Sequence, residues 1–322
     1  MVRKLEELNL IDNFLFEALA GHPELGAVFG RKLVEIILHR SPEKVHVVAQ
    51  RTYSGSNPQL HGARLDVYLE ESSDSGENVP WSYDIEPEKD NKPLAVYSLP
   101  KRVRFYHAKI DAKGLKAGEG YHKLNNVAII LIMPYDPFGW DRMVYTIRNT
   151  CVEEPEMPYD DGAFTMFLYT KGQKGIPSAE LQQFLTYFEQ TTADNACNED
   201  LAELHEMVSQ VRMDEEVELE YMKIFEREEM IREEGREEGL AQGHTEGSML
   251  HLIQLIIKKA AKGKPLDRIA EELEEDTASI AFLYDLVIQN PGRTAAELLR
   301  YVNCAETPNH VLSQRQPETK QM

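Results

Sequence analysis

Four acidic residues carry the chemistry that the sequence most clearly suggests. Asp84, Glu86 and Glu88 are spaced two residues apart in the segment WSYDIEPE, where they alternate with apolar residues. Asp66 lies in the preceding segment, ARLDVYLE. Because side chains alternate between the two faces of a β-strand, the three spaced acids are expected on one face. If the two segments pair as an antiparallel hairpin, Asp66 lies across from that acidic row.

Carboxylates that are held together repel one another and raise each other's pKa, and a divalent cation relieves that repulsion. Mg²⁺ prefers oxygen ligands and retains water, which it acidifies into a nucleophile for phosphodiester hydrolysis. The spacing is therefore compatible with a Mg²⁺ site formed by Asp66 and the row of Asp84, Glu86 and Glu88. Spacing alone leaves one alternative open, which is a solvated acidic strand face without a ligand.

A basic segment follows the acidic ones. Residues 98–125 contain seven Lys or Arg residues and two acidic residues, and residues 99–117 are predicted to form a helix. Cationic side chains on such a helix can hold the phosphates of a DNA backbone. The candidates are Lys101, Arg102, Arg104, Lys109, Lys113 and Lys116.

The net charge of −20 does not exclude a nucleic-acid partner, because it is unevenly distributed. Residues 1–150 contain 19 basic and 20 acidic residues, whereas residues 151–250 contain 7 basic and 25 acidic residues, a net charge of −18. Residues 251–322 contain 9 basic and 10 acidic residues. Since screening confines the effect of a surface charge to about 10 Å, the basic segment can still approach phosphate.

The elements that must position these residues are predicted from hydrophobic periodicity. Their order is α-β-β-β-α-β with further strands added, which indicates an α/β domain over residues 1–175. The predicted helices of this domain cover residues 5–20, 24–39 and 99–117. The predicted strands cover residues 44–52, 63–70, 80–86, 127–133, 143–149 and 163–169.

The rest of the chain is predicted to be helical. Residues 176–248 form an acidic helical region with helices predicted over residues 178–190 and 199–234, and glycine recurs every fourth residue from Gly235 to Gly247. Each glycine inside a helix costs about 1 kcal/mol relative to alanine, so this segment is expected to be a frayed hinge. A self-associating helix that makes a homo-oligomer is the alternative. Residues 249–304 are predicted to form a small helical module, and residues 305–322 a disordered tail.

Composition excludes several classes of protein. The chain has 322 residues, and no stretch approaches the roughly 20 apolar residues of a membrane span. Three scattered cysteines are too few for a disulfide framework or a zinc site. A soluble, cytoplasmic protein without a membrane partner is expected.

Several blocks of the sequence, taken in order, resemble the PD-(D/E)XK nuclease family of transposase-like, recombination-promoting proteins. The resemblance covers about residues 8–240. It implies a restriction-endonuclease-like core, Mg²⁺-dependent DNA cleavage, and an association with recombination or mobile elements. The blocks are LNLIDNFLFEALAG, GARLDVYLE, YDIEPE, LPKRVRFYHAKID, LKAGEGYHKLNNVAIILIMPYDPFG and YMKIFEREEMIREEGREEG.

The resemblance also implies roles for individual residues. Asp66 corresponds to the first acid of the family motif, and Glu86 corresponds to the acid of the third strand, so the resemblance implies that these two residues bind Mg²⁺. The residue two positions after that glutamate is usually Lys, or Gln in many transposase-like members, but here it is Glu88. The usual lysine orients the attacking water and stabilises developing negative charge, and a carboxylate cannot do the latter.

Four explanations of this departure stay open. Pro87 lacks an N–H and could distort the strand so that Lys89 reaches the site. A cation of the following helix, Lys101 or Arg102, could substitute. Glu88 could be a further metal ligand. In these cases the protein is a Mg²⁺-dependent DNA endonuclease, with Arg102 and Arg104 on the phosphates; in the fourth it is an inactive binding or oligomerisation module.

Overall fold

The structure is a computed structural model that describes residues 3–42, 44–53, 63–71, 79–115, 117–175 and 177–306. The chain divides into two compact units, Met1–Ile224 and Phe225–Met322. The division falls within a long helix, α6 (Glu215–Ala260). The domain boundaries expected at residues 175, 248 and 304 stay predictions.

The first unit is an α/β unit. It also contains short 3-10 turns, the first of them over Leu5–Glu7. Its helices are α1 (Asn13–Gly21), α2 (Gly26–Leu38), α3 (Pro93–Gly114), α4 (Ala179–Glu189) and α5 (Glu199–Arg212). Its strands are β1 (Val45–Tyr53), β2 (Ala63–Glu71), β3 (Trp81–Pro87), β4 (Asn126–Met133), β5 (Val144–Ile147) and β6 (Ala163–Tyr169).

Within the described residues these strands form one sheet in the order β1-β2-β3-β4-β6-β5. Strands β1, β2 and β3 pair antiparallel, β3, β4 and β6 pair parallel, and β5 pairs antiparallel with β6. The predicted α/β class with a mixed sheet is therefore confirmed. From α2 to β4 the chain follows the predicted order α-β-β-β-α-β.

Strand β4 lies at the centre of the sheet and is buried on both faces, as its continuous apolar sequence predicts. Ile130 and Ile132 contribute to the larger core, where α1, α2, α4 and α5 cover one face of the sheet. Ile129 and Leu131 contribute to the smaller core, where α3 covers the opposite face. The acidic residues of β3 lie on the side of this smaller core.

Two predicted helices are shorter than expected. Instead of one helix over residues 5–20, α1 begins at Asn13, because the Asp12 carboxylate accepts the backbone N–H of Asn9 (2.8 Å) and holds a turn there. The helix predicted over residues 199–234 is interrupted after Arg212. The Asp214 carboxylate accepts the N–H groups of the residues that open α6, and so starts a new helix.

The fraying predicted for the glycine-rich segment is wrong, because residues 235–247 lie within α6. Ion pairs between residues three apart support the helix just before and at the start of this segment, where Arg232 pairs with Glu229 and Arg236 with Glu233 (both 2.5 Å). The residues between the glycines are mostly strong helix formers, which offset the cost of glycine.

The second unit is helical, as predicted for the C-terminal module. After the C-terminal part of α6 it contains α7 (Leu266–Leu273), α8 (Thr277–Gln289) and α9 (Ala295–Glu306). Its own apolar core includes the fully buried side chains of Ile253, Ile269, Ile280 and Leu298. The predicted tail lies outside the described residues from residue 307 onward.

Across the described ranges, none of the helices is both long enough and apolar enough to span a bilayer.

Candidate active site

The pairing of β2 with β3 brings Asp66 and Glu86 together. Val67 lies opposite Ile85 in the antiparallel register, so Asp66, the position before Val67, lies near Glu86, the position after Ile85. The Glu86 carboxyl group accepts a hydrogen bond from the backbone N–H of Asp66. Asp66 is half-buried, whereas Glu86 is only 5% exposed. The acid near the start of one strand thus meets the acid near the end of its neighbour.

Alternation along β3 turns two acids into the protein. Tyr83 and Ile85 belong to the larger core, whereas Asp84 and Glu86 pair in register with Ile129 and Leu131 of β4, on the α3 side of the sheet. Three carboxyl oxygens are buried without a hydrogen-bond partner among the described residues, namely both of Asp84 and Oε1 of Glu86. Burying unpaired carboxylates is costly, so these oxygens must hold protons or a cation.

The electrostatics of the site agree with this conclusion. Burial raises the pKa of Asp84 well above its ordinary value, and the charges of Glu86 and Asp66 raise it further. Burial, followed by the charge of Asp66, raises the pKa of Glu86 to about 8. Arg102 opposes both shifts, because its positive charge lowers the pKa of each acid. Without a cation, Glu86 is therefore mainly protonated at neutral pH, and the pKa of Asp84 is shifted in the same direction.

Helix α3 supplies Arg102. The helix packs on the sheet through Leu99, Val103 and Ile110, which fixes the side of the helix that faces the acids. The Arg102 guanidinium makes a close ion pair with the carboxylate of Glu88, which is 8% exposed. Glu88 also accepts the backbone N–H of Asp90 (2.8 Å). Glu88 therefore anchors the arginine beside the two buried acids.

Lys89 lies in a different environment. Its ammonium group contacts the Asp12 carboxylate (2.5 Å), which also binds Arg3 (2.6 Å). Burial tends to raise the pKa of Asp12, but hydrogen bonds from Arg3 and Lys89 outweigh it and lower the pKa. Sequence reasoning did not single out Asp12, because nothing in the spacing connects it with a lysine 77 positions away.

The other two basic candidates lie on the exposed side of α3. The Lys101 ammonium group is 5.6 Å from the centre of the Tyr97 ring, and Arg104 is exposed. Both are accessible to a phosphate of a bound nucleic acid. The charge of Arg102 acts on both Asp84 and Glu86.

The residues fit a Mg²⁺ ion in their chemistry. The described part of the chain contains no group of three His, Cys, Asp or Glu side chains already arranged around a common metal position. Mg²⁺ does not require one, since proteins commonly hold it through one or two carboxylates with water and substrate phosphate completing the shell. The unpaired oxygens of Asp84 and Glu86 are hard ligands of the required kind.

Comparison with known proteins identified no relatives. No family matches the chain, and neither a curated protein nor a solved structure matches it. The function is therefore argued from the geometry and chemistry of the site.

Proposed function

We propose that the chain is a Mg²⁺-dependent endonuclease that hydrolyses phosphodiester bonds in DNA on a restriction-endonuclease-like core. The observation that carries this proposal is the set of unpaired, buried carboxyl oxygens on β3, next to Asp66 on β2. A solvated acidic strand face would have its carboxylates in water, whereas Asp84 and Glu86 are 0% and 5% exposed. The association with recombination or mobile elements rests on the resemblance of the sequence blocks.

Asp66 and Glu86 would hold the metal ion, and Asp84 offers two further oxygens in the same cluster. When bound, Mg²⁺ acidifies a coordinated water and offsets negative charge on a phosphate oxygen. Because Glu86 carries a proton near neutral pH, it must release that proton when a cation binds. Arg102 makes this release easier, since it lowers the pKa of both acids.

Arg102 takes the role that the missing lysine has in the family. Its guanidinium stabilises negative charge that develops on the phosphate, and Glu88 is a positioning residue that holds the guanidinium. Lys101 and Arg104 bind phosphates farther along the DNA backbone. Lys89 is committed to Asp12 and acts as a structural ion pair.

A second candidate function is an inactive binding or oligomerisation module on the same fold. The contact of Lys89 with Asp12 favours it, because this lysine is the nearest equivalent of the motif lysine. Such a protein would bind DNA through α3 without cutting it.

A plasmid-nicking assay tests the proposal. Purified protein is incubated with supercoiled plasmid in Mg²⁺ or in EDTA, and Asp66→Asn, Glu86→Gln and Glu70→Gln are compared. Glu70 is a matched control, since it lies on the same strand as Asp66 and binds Arg51 and Tyr68. Nicking that needs Mg²⁺, falls at least about 100-fold in Asp66→Asn and Glu86→Gln, and persists in Glu70→Gln supports the proposal.

Two other results would contradict it. Equal nicking by all three variants would exclude this site. Duplex binding by the wild-type protein with no Mg²⁺-dependent nicking, measured by fluorescence anisotropy, would establish the binding module in its place.

A further inference from the structure

The exposed side of α3 carries a row of apolar and cationic side chains. They recur at intervals of three or four residues, so they lie on one side of the helix. The opposite side of the helix packs on the sheet as part of the smaller core. We call this row the α3 stripe, and its members are Leu94, Tyr97, Lys101, Arg104 and Phe105.

The apolar members of the α3 stripe are open to solvent. Leu94 and Tyr97 are 77% and 74% exposed, and Phe105 is also exposed. Among the described residues, none of the three belongs to either apolar core of the first unit. Single exposed apolar residues are common, but several that share one side of a helix mark an interaction surface.

The charge of α3 indicates the kind of partner. The helix contains five basic residues and one acidic residue, and that acid, Asp111, is half-buried. Arg102 is held in its ion pair with Glu88, whereas Lys101 and Arg104 are exposed. The partner should therefore be negatively charged. It should also present flat surfaces to the rings of the stripe, and a single strand of nucleic acid has both properties.

Lysines lie beside both rings of the stripe. The Lys101 ammonium group is 5.6 Å from the centre of the Tyr97 ring, and the Lys109 ammonium group is 5.2 Å from the centre of the Phe105 ring. Because Tyr97 is largely exposed, a base can reach its ring while Lys101 stays beside it. Each ring thus has a cation within reach of the phosphate that a stacked base brings with it.

Two other anionic partners fit the stripe less well. A DNA duplex presents phosphates, but its bases are stacked inside, so the exposed rings would have nothing to bind. A helix that lies on a membrane inserts a continuous apolar face. The apolar side of α3 is already packed on the sheet, and two cations interrupt the stripe.

The stripe begins close to the buried acids. Strand β3 ends at Pro87 and α3 begins at Pro93, so the N-terminus of α3 lies near the end of β3 that carries Glu86. Tyr97 precedes Arg102 by five residues, which is about 7.5 Å along the helix axis. A DNA strand bound at the acids therefore reaches the stripe within a few nucleotides.

We propose that the α3 stripe binds an unpaired DNA strand, with bases stacked on Tyr97 and Phe105 and with phosphates on Lys101 and Arg104. The preferred substrate is then DNA that has a single-stranded segment next to the cleaved phosphate. The inference rests on the proposed function, and it adds the class of DNA that the site takes.

The test measures binding without cleavage. A fluorescently labelled thymidine decamer and an abasic decamer are titrated with protein in EDTA, and fluorescence anisotropy is recorded. The two decamers carry the same phosphates, so a difference in affinity measures the contacts of the bases. We expect the thymidine decamer to bind at least about 5-fold more tightly, which is the smallest effect of one base stacked on an aromatic ring. Equal affinities for the wild-type protein would overturn the proposal.

Variants locate the base contact on α3. Tyr97→Ala is expected to bind the thymidine decamer at least about 5-fold more weakly and the abasic decamer unchanged, whereas Tyr97→Phe keeps the ring and the preference. Tyr121→Ala is a matched control, since Tyr121 is also highly exposed but precedes β4, at the opposite end of the strands. Wild-type affinity of Tyr97→Ala for the thymidine decamer would overturn the assignment of the stacking ring.

A duplex of ten base pairs tests the preference for an unpaired strand. Its bases are already stacked on one another, so its affinity is expected to be the same for Tyr97→Ala and the wild type. If Tyr97→Ala weakened duplex binding as much as single-strand binding, the stripe would be a duplex contact and the proposal would be wrong.

The result is separate from that of the plasmid assay. A protein that distinguishes the decamers but nicks no plasmid has the strand contact without the nuclease, and one that nicks but binds both decamers equally has the nuclease without the contact. Equal affinities combined with binding to phosphatidylserine vesicles that is lost in Tyr97→Ala would assign the stripe to an anionic membrane surface instead.

Discussion

Glu86 is an acid whose surroundings favour its protonated form. The ordinary pKa of glutamate is 4.5, and burial with the charge of Asp66 raises the pKa of Glu86 to about 8. Between these two values the unfolded chain carries an ionised glutamate while the folded chain holds a proton. Folding therefore takes up a proton, and the free energy of unfolding falls as pH rises from about 4.5 to about 8. Asp84 acts in the same direction.

We predict that Glu86→Gln stabilises the metal-free protein, and more so at high pH. The amide cannot ionise, so the variant avoids the loss that the wild-type protein suffers across that range. The variant's gain in the free energy of unfolding over the wild type is expected to be larger at pH 8.5 than at pH 5.0, by an amount on the order of 3 kcal/mol. Urea unfolding of both proteins in EDTA at the two pH values measures it. If the two proteins differed in free energy of unfolding by the same amount at both pH values, Glu86 would have an ordinary pKa and the prediction would be wrong.

We predict that Lys89→Met weakens the fold without stopping catalysis. Asp12 would keep Arg3 but lose one of its two cationic partners, at a cost of about 1–2 kcal/mol. Urea unfolding measures the change in stability, and the plasmid assay is expected to give a rate within about twofold of the wild type. Loss of nicking with unchanged stability would instead identify Lys89 as the motif lysine.

At the level of single residues, the alternation of side chains along a strand is enough to predict which acids share a face of the sheet. The alternation of acids along β3 predicts that Asp84 and Glu86 share a face, and the hairpin predicts that Asp66 approaches them. The partner of Lys89 depends on tertiary packing between β3 and the start of α1, which no local pattern encodes. The burial of the acids also needs α3 in place above the sheet.

Helix α3 is the element that joins the acids to the exposed cations that we propose contact DNA. Its apolar side packs on the sheet, Arg102 reaches the acids, and Arg104 faces solvent. One element thus sets the spacing between the buried acids and the exposed arginine. Substitutions at the two arginines should therefore have different signatures.

We predict that Arg102→Met lowers the nicking rate by about 10²–10³-fold, as loss of a charge-stabilising donor does in other enzymes. Arg102 lowers the pKa of Glu86, so its removal raises that pKa, and the residual activity is expected to need a higher pH. A pH–rate profile of the plasmid assay measures both effects, with Arg102→Lys expected to recover part of the rate.

Arg104→Ala provides the matched comparison. The variant is expected to bind duplex DNA more weakly, and its affinity is expected to depend less on salt concentration. The pH–rate profile of nicking is expected to stay unchanged. Equal pH profiles for Arg102→Met and the wild type would mean that Arg102 does not act on the acids.

Most helices and strands follow from sequence periodicity, and the differences have local causes. Asp12 and Asp214 hold turns with their carboxylates and thereby start α1 and α6 later than apolar periodicity indicates. The glycines do not interrupt α6, because the cost of each is small beside the helix propensity of the residues around it.

At the level of the whole molecule, each unit has its own apolar core. Leu298 is fully buried in the core of the second unit, together with residues of α6, α7 and α8. The candidate site draws its residues from the first unit, Met1–Ile224. A substitution that destabilises the second unit is therefore expected to leave the chemistry of the candidate site unchanged.

We predict that Leu298→Ala destabilises the second unit by about 2–5 kcal/mol, as expected for truncation of a fully buried leucine, and leaves nicking unchanged. Hydrogen exchange followed by mass spectrometry is expected to show faster exchange in α7, α8 and α9, with β3 and β4 as the internal control. Faster exchange in β3 and β4 would show that the two units unfold together.

The unpaired oxygens on β3 have a consequence for how long the protein survives in a cell. An empty site weakens the fold in neutral or alkaline solution, and a bound cation removes that weakness. Proteases attack the transiently opened chain, so the cation-free form is expected to be degraded first. If that cation is Mg²⁺, as we propose, the abundance of the protein would follow the magnesium supply, and a starved cell would lose the proposed activity by turnover as well as by lack of the ion.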